Sequence, residues 1–138
     1  VDSTKSLVTR ILIPEAGPGE GSGYARLEQR KALALPMVCV AAFLGIRDGM
    51  VERCRIAMAP VGVGPVRAIE AERFIIGKAA EKEVFSEAGR LALKNANPRD
   101  SLIRGSKRYR EEVLPVMVER ALSEALSDAE GREKEVEQ

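Results

Sequence analysis

Alternate glycines are the first residues in this sequence with a spacing that suggests chemistry. In "EAGPGEGSGYARLEQR", residues 15 to 30, they stand at Gly17, Gly19, Gly21 and Gly23, and glycine-rich turns wrap phosphates in many nucleotide-binding proteins. A dinucleotide turn needs G-x-G-x-x-G, and a P-loop needs G-x-x-x-x-G-K followed by Ser or Thr. Counted from Gly17 the third required glycine falls on Ser22, and counted from Gly19 it falls on Tyr24. Glu20, in the middle, would repel a phosphate. The stretch therefore reads as a flexible crossover between strands.

Basic residues gather in "RGSKRYR", residues 104 to 110, where Arg104, Lys107, Arg108 and Arg110 surround a helix start. Free N–H groups at such a start favour anions; the plainer reading is a solvated first turn with Tyr109 packed inward. Cys54 stands between Arg53 and Arg55, and neighbouring positive charge lowers a thiol pKa. Its expected inward-facing position makes it an inert core cysteine instead. Glu70 and Glu72 are two apart on a helix and do not face each other. Glu28, Glu81 and Glu83 are equally isolated, so no general acid and base pair emerges. The chain has no histidine, hence neither the commonest general base near neutral pH nor the commonest metal ligand.

Composition narrows the classes further. The 138 residues are 45% apolar and 31% charged, with 22 Lys and Arg against 21 Asp and Glu. That is one domain's length with enough apolar material for a core, and no net field to draw nucleic acid or an anionic membrane surface. Aromatic residues reach only 4% and tryptophan is absent, which removes the stacking platforms of single-stranded nucleic-acid binders. Two cysteines outside any CxxC pair, Cys39 and Cys54, suit a reduced, cytoplasmic setting. The apolar stretch at 32 to 46 is shorter than the roughly 20 residues of a membrane helix and contains Pro36. No basic n-region with a cleavage site opens these residues, so no signal peptide is expected in them.

These residues need elements to position them. "LVTRILI", residues 7 to 13, is aliphatic and β-branched and closes at Pro14, the pattern of a strand. A strand beginning so near residue 1 suggests a chain cut from something larger. "YARLEQR", 24 to 30, is expected to be a second strand. Asp48-Gly49 separates two apolar runs and predicts a type I′ hairpin. If Arg47 faces Met50 and pairing continues evenly, Cys39, Ala41 and Phe43 oppose Met58, Ile56 and Cys54 on the core face, and no disulfide joins the cysteines.

Beyond a Gly- and Pro-rich loop at 59 to 68 the period turns helical, with helices expected at about 68 to 76, 80 to 96 and 106 to 127. Gly77 ends the first, Asn97 and Pro98 stop the second, and Ser106 caps the third. Pro115 inside the third removes a backbone hydrogen bond. Residues 127 to 138 read as a polar, mobile tail beyond a single domain at 1 to 126. Strands first and helices after give an α+β fold: a small antiparallel sheet of three to four strands packed against a three-helix bundle.

"LVTRILIP", "GSGYARLEQRKALALPMVCVAAFLGIRDG", "RIAMAPVGVGPVRAIEAE" and "RGSKRYREEVLPVMVERAL", in that order, resemble the C-terminal domain of the FAD-binding subunit of molybdenum hydroxylases. That family includes the medium subunit of aerobic carbon monoxide dehydrogenase and the flavin part of xanthine dehydrogenase. The resemblance spans about residues 6 to 126 and rests on several ordered segments together.

It implies the same sheet and three-helix bundle, and a role within an oxidoreductase in which this domain supports FAD without itself being catalytic. The implied partners are an N-terminal FAD-binding domain of the same subunit, a molybdopterin-binding large subunit and a [2Fe-2S] small subunit, with electrons passing to an external acceptor. It further implies two cofactor-binding positions: Val8, six places before the closing Pro14, and Arg26, just after the aromatic of the next strand. Some relatives place lysine one position earlier, at Ala25 here, and on a strand Ala25 and Arg26 point to opposite faces. The family's glycine pair after "RIAL" is replaced by Met58, Ala59 and Pro60. The alternative is a stand-alone protein-interaction module without catalytic activity.

Overall fold

Asp48 and Gly49 adopt φ angles of 51° and 74°, the double positive φ of a type I′ turn. They join β2 (Pro36–Arg47) to β3 (Met50–Ala59) as the Asp-Gly signal predicts. The computed structural model describes residues 4–30 and 33–136. Within them β1 (Glu20–Glu28), β2, β3 and a two-residue β4 (Val66–Arg67) form an antiparallel sheet in the order β1-β2-β3-β4. Helices α1 (Ile69–Ile75), α2 (Lys82–Ala92) and α3 (Lys107–Val136) follow, so the α+β architecture of a four-stranded sheet and three helices is the one expected.

The hairpin register differs from the even pairing. Arg47 faces Met50 and Ile46 faces Val51, but Gly45 then faces Arg53, leaving Glu52 as the extra residue of a bulge. A slip of one residue exchanges the two faces of a strand. Val38, Val40, Ala42 and Leu44 therefore point into the core with Cys54, Ile56 and Met58. Cys39, Ala41 and Phe43, expected inside, turn outward. β2 is apolar on both faces, so its alternation carried no information about which face is buried.

Residues 7 to 13 form no strand. Leu7, Val8, Ile11, Leu12 and Ile13 are all exposed. The free edge of β1 has no room for them, because α3 already serves it: the Ser22 N–H donates to Asp128 Oδ2 (2.9 Å) and the Tyr24 N–H to Glu124 Oε2 (3.0 Å). Carboxylates thus satisfy the donors that an edge strand would otherwise offer to another chain.

The glycine stretch is likewise more than a crossover. Gly21 and Gly23 belong to β1 and are buried. A Cβ on Gly21 would lie 2.9 Å from Ala129 Cα, and one on Gly23 would lie 2.6 Å from Ala125 N. Alternating glycines let α3 lie directly on the strand backbone, with Ala121, Ala125 and Ala129 as the facing small residues, all buried. This contact also explains why α3 continues beyond the expected end near 127: Ala129 completes the buried row. Ser106 caps α3 as predicted, its Oγ accepting from the Tyr109 N–H at 3.1 Å, and Asp100 Oδ1 accepts from the Lys107 N–H at 2.8 Å. Where α2 crosses α3, a Cβ on Gly89 would stand 3.0 Å from Pro115 Cα.

Glu72, expected to be isolated, is buried. It accepts from the Ile56 N–H (2.9 Å) and from Arg67 Nε (2.5 Å), and also pairs with Arg67 Nη2. Burial alone would raise its pKa, but these donors more than offset that and hold it below the ordinary value. The effect is to tie α1 to the β3–β4 edge.

Candidate functional site

The helices cover one face of the sheet, and the other is open. Its side chains stand in cross-strand rows fixed by the register: Ser22, Phe43 and Arg55; Tyr24, Ala41 and Ala57; Arg26, Cys39 and Ala59. Tyr24, Arg26, Ala41, Arg55 and Ala57 are exposed, and Cys39 and Phe43 are half-buried. The middle of the face is flat because alanine occupies it on both β2 and β3. Arg53 flanks it, with its guanidinium 5.7 Å from the Phe43 ring centroid and an ion pair to Glu20.

Arg26 is held along the strand. Its Nε donates to Glu28 Oε2 and its Nη2 to the Ala34 carbonyl, both at 2.7 Å. The Glu28 bond, foremost, keeps its pKa above the ordinary value. Tyr24 shares this corner: desolvation and then the Cys39 thiol push its phenol up, with Arg26 acting in the opposite direction. Tyr24, Arg26 and Cys39 are therefore one electrostatic neighbourhood, which the alternation of β2, apolar on both faces, does not disclose.

Of the site residues expected from sequence, Arg26 lies on this open face, while Ala25 faces the core at 8% exposure. Val8 lies in the exposed segment that joins no strand, and no bond or register brings it to Arg26. Cys54 is fully buried, and desolvation pushes its thiol up to about 12. That is the inert core cysteine expected, despite the flanking arginines. Both cysteines are free thiols.

An open sheet face backed by three helices defines an α+β module. The chain belongs to the CO dehydrogenase flavoprotein C-terminal domain family, whose pattern matches residues 24–125. It is 30% identical over 118 residues to the glyceraldehyde dehydrogenase medium chain of Sulfolobus acidocaldarius, covering 86% of this chain and 41% of that one. Over 123 residues it is 25% identical to the 6-hydroxypseudooxynicotine dehydrogenase complex subunit alpha of Paenarthrobacter nicotinovorans, covering 89% and 41% respectively. The carbon monoxide dehydrogenase of Hydrogenophaga pseudoflava superposes with a TM-score of 0.77 at 31% identity, over 84% of this chain and 40% of that one. The chain thus spans about two fifths of the length of these relatives. Among the described residues no helix is long and apolar enough to cross a membrane.

Proposed function

We propose that this domain forms one wall of the flavin site in the FAD-binding subunit of a molybdenum hydroxylase, with the open sheet face turned toward the isoalloxazine. The observation that carries the reading is that face: a flat patch of Ala41 and Ala57 with Tyr24 and Phe43 beside it and Arg26 at one end. Its chemistry fits a planar aromatic ring that gains negative charge. It does not fit a pyrophosphate, since Gly21 and Gly23 are backed onto α3. The phosphates therefore fall to an N-terminal FAD-binding domain of the same subunit.

When bound, FAD would accept electrons from [2Fe-2S] clusters and pass them to an external acceptor, the organic chemistry being the cofactor's. The residues of this chain position and tune. Tyr24 and Phe43 pack beside the ring, the small alanines admit its plane, and Arg26 supplies positive charge. The exposed apolar residues Leu7, Val8, Ile11, Leu12 and Ile13 supply the segment that packs on the neighbouring domain, with Val8 reaching the ring from that side. The molybdopterin-binding subunit and the [2Fe-2S] subunit complete the assembly, in the cytoplasm.

Ala41→Asp in the full-length subunit tests the reading. Ala41 is exposed, so folding by circular dichroism is expected to be preserved while FAD occupancy falls severalfold. Unchanged occupancy in a normally folded variant would contradict it.

A further inference from the structure

The basic cluster ahead of α3 takes no part in the open sheet face. Arg110, expected in a solvated first turn, is 4% exposed, whereas Tyr109, expected to pack inward, is 42% exposed. Arg110 Nη1 donates to the Pro60 carbonyl at 2.8 Å, but its buried Nε has no hydrogen-bond partner. The buried Nε of Arg104 also has none. Both side chains line a cavity of about 250 Å³, together with Arg99, Asp100, Pro60 and Gly62.

Three guanidiniums thus meet a single carboxylate there, and Asp100 is already engaged, its Oδ1 holding the Lys107 N–H. The Arg110 guanidinium is held below its ordinary pKa by desolvation first and by Arg104 next, with Arg99 adding and Asp100 opposing. The helix end itself is not the attraction, since Ser106 and Asp100 cap it.

We propose that this cavity binds a phosphate-type oxyanion, held by the guanidiniums of Arg99, Arg104 and Arg110 that line it. Guanidinium forks match tetrahedral oxyanions in geometry as well as charge. The volume is several times that of a water molecule, about 30 Å³ in the liquid, yet below the roughly 300 Å³ at which pockets take whole drug-sized ligands. It therefore suits a phosphoryl group and not an entire coenzyme. Free phosphate and the terminal phosphate of a small phosphomonoester share this chemistry.

Calorimetric titration of the full-length polypeptide with inorganic phosphate, and separately with glycerol 3-phosphate, at fixed ionic strength against chloride tests the site. Saturable heat is expected, with a melting temperature that rises with ligand concentration. A tighter fit for glycerol 3-phosphate would assign the site to a phosphomonoester, and equal affinities to free phosphate. Arg110 variants risk the Pro60 contact and hence the fold, so the test rests on Arg104→Gln and Arg99→Gln. Each is expected to melt like the parent without ligand and to bind about tenfold more weakly, a difference of about 1.4 kcal/mol. No saturable binding, or binding unchanged in the Arg99→Gln/Arg104→Gln pair, would overturn the proposal.

Discussion

The backbone of Gly23 lies against Ala125 of α3, so near that a Cβ on the glycine would stand 2.6 Å from the Ala125 nitrogen and 2.9 Å from Glu124 Cβ. This contact sets the spacing between helix and sheet, and through it the orientation of the open face on the far side of β1.

Gly23→Ala is therefore expected to destabilise the domain. The methyl meets backbone that cannot swing aside, which places the cost at the upper end of overpacking, about 3 kcal/mol, or a fall of about 10 °C in Tm. Gly131 in the same helix has open space where its Cβ would be. Gly131→Ala should raise stability by about 0.5–1 kcal/mol through helix propensity. Thermal melts of both variants check the pair; equal small effects would contradict the contact.

The Glu72 carboxyl is held below its ordinary pKa by Arg67 and the Ile56 N–H, which outweigh its desolvation. Since the folded value is the lower one, its contribution is fully present above the unfolded carboxyl range, about 4.3, and is lost as pH falls through the folded value. Glu72→Gln should cost about 1–3 kcal/mol at pH 7, with the gap to wild type narrowing below about pH 4. Urea midpoints across that range measure it. A pH-independent gap would contradict the charge's role.

The Ser22 and Tyr24 donors on the free edge of β1 are met by Asp128 and Glu124. Removing both carboxylates, as in Glu124→Ala/Asp128→Ala, should cost about 0.5–1.5 kcal/mol for each exposed bond and leave an edge open to pairing. Light scattering of the double variant is expected to reveal concentration-dependent association absent from the parent.

Alkylation should separate the two thiols. Cys54 is fully buried with its thiol pushed up to about 12, whereas Cys39 is half-buried on the open face. At pH 8 iodoacetamide is expected to label Cys39 in the native protein and Cys54 only after unfolding. Mass spectrometry showing equal native rates would contradict the register that the Glu52 bulge imposes.

Much of this architecture was legible in the residues themselves. Asp48-Gly49 placed the hairpin because only that turn chemistry tolerates two positive φ angles, and Ser106 placed the start of α3. What stayed hidden depends on distant partners. The Glu52 bulge cannot be seen where both faces of β2 are apolar. Gly21 and Gly23 look flexible until α3 lies on them. Leu7 to Ile13 look like a strand until the edge they would join proves to be occupied by Asp128 and Glu124. The resemblance points to Arg26, and the register of β1 against β2 sets Cys39 directly opposite it, with Tyr24 on the same face.

The central claim, that the open face with Arg26 addresses the flavin, is tested most directly by the flavin midpoint potential of the full-length subunit before and after Arg26→Ala. Positive charge near the ring favours the reduced, more negative form, so its removal is expected to lower the potential by about 30 mV, the equivalent of about 1.4 kcal/mol for a two-electron couple. An unchanged potential in a variant that retains FAD would contradict the account.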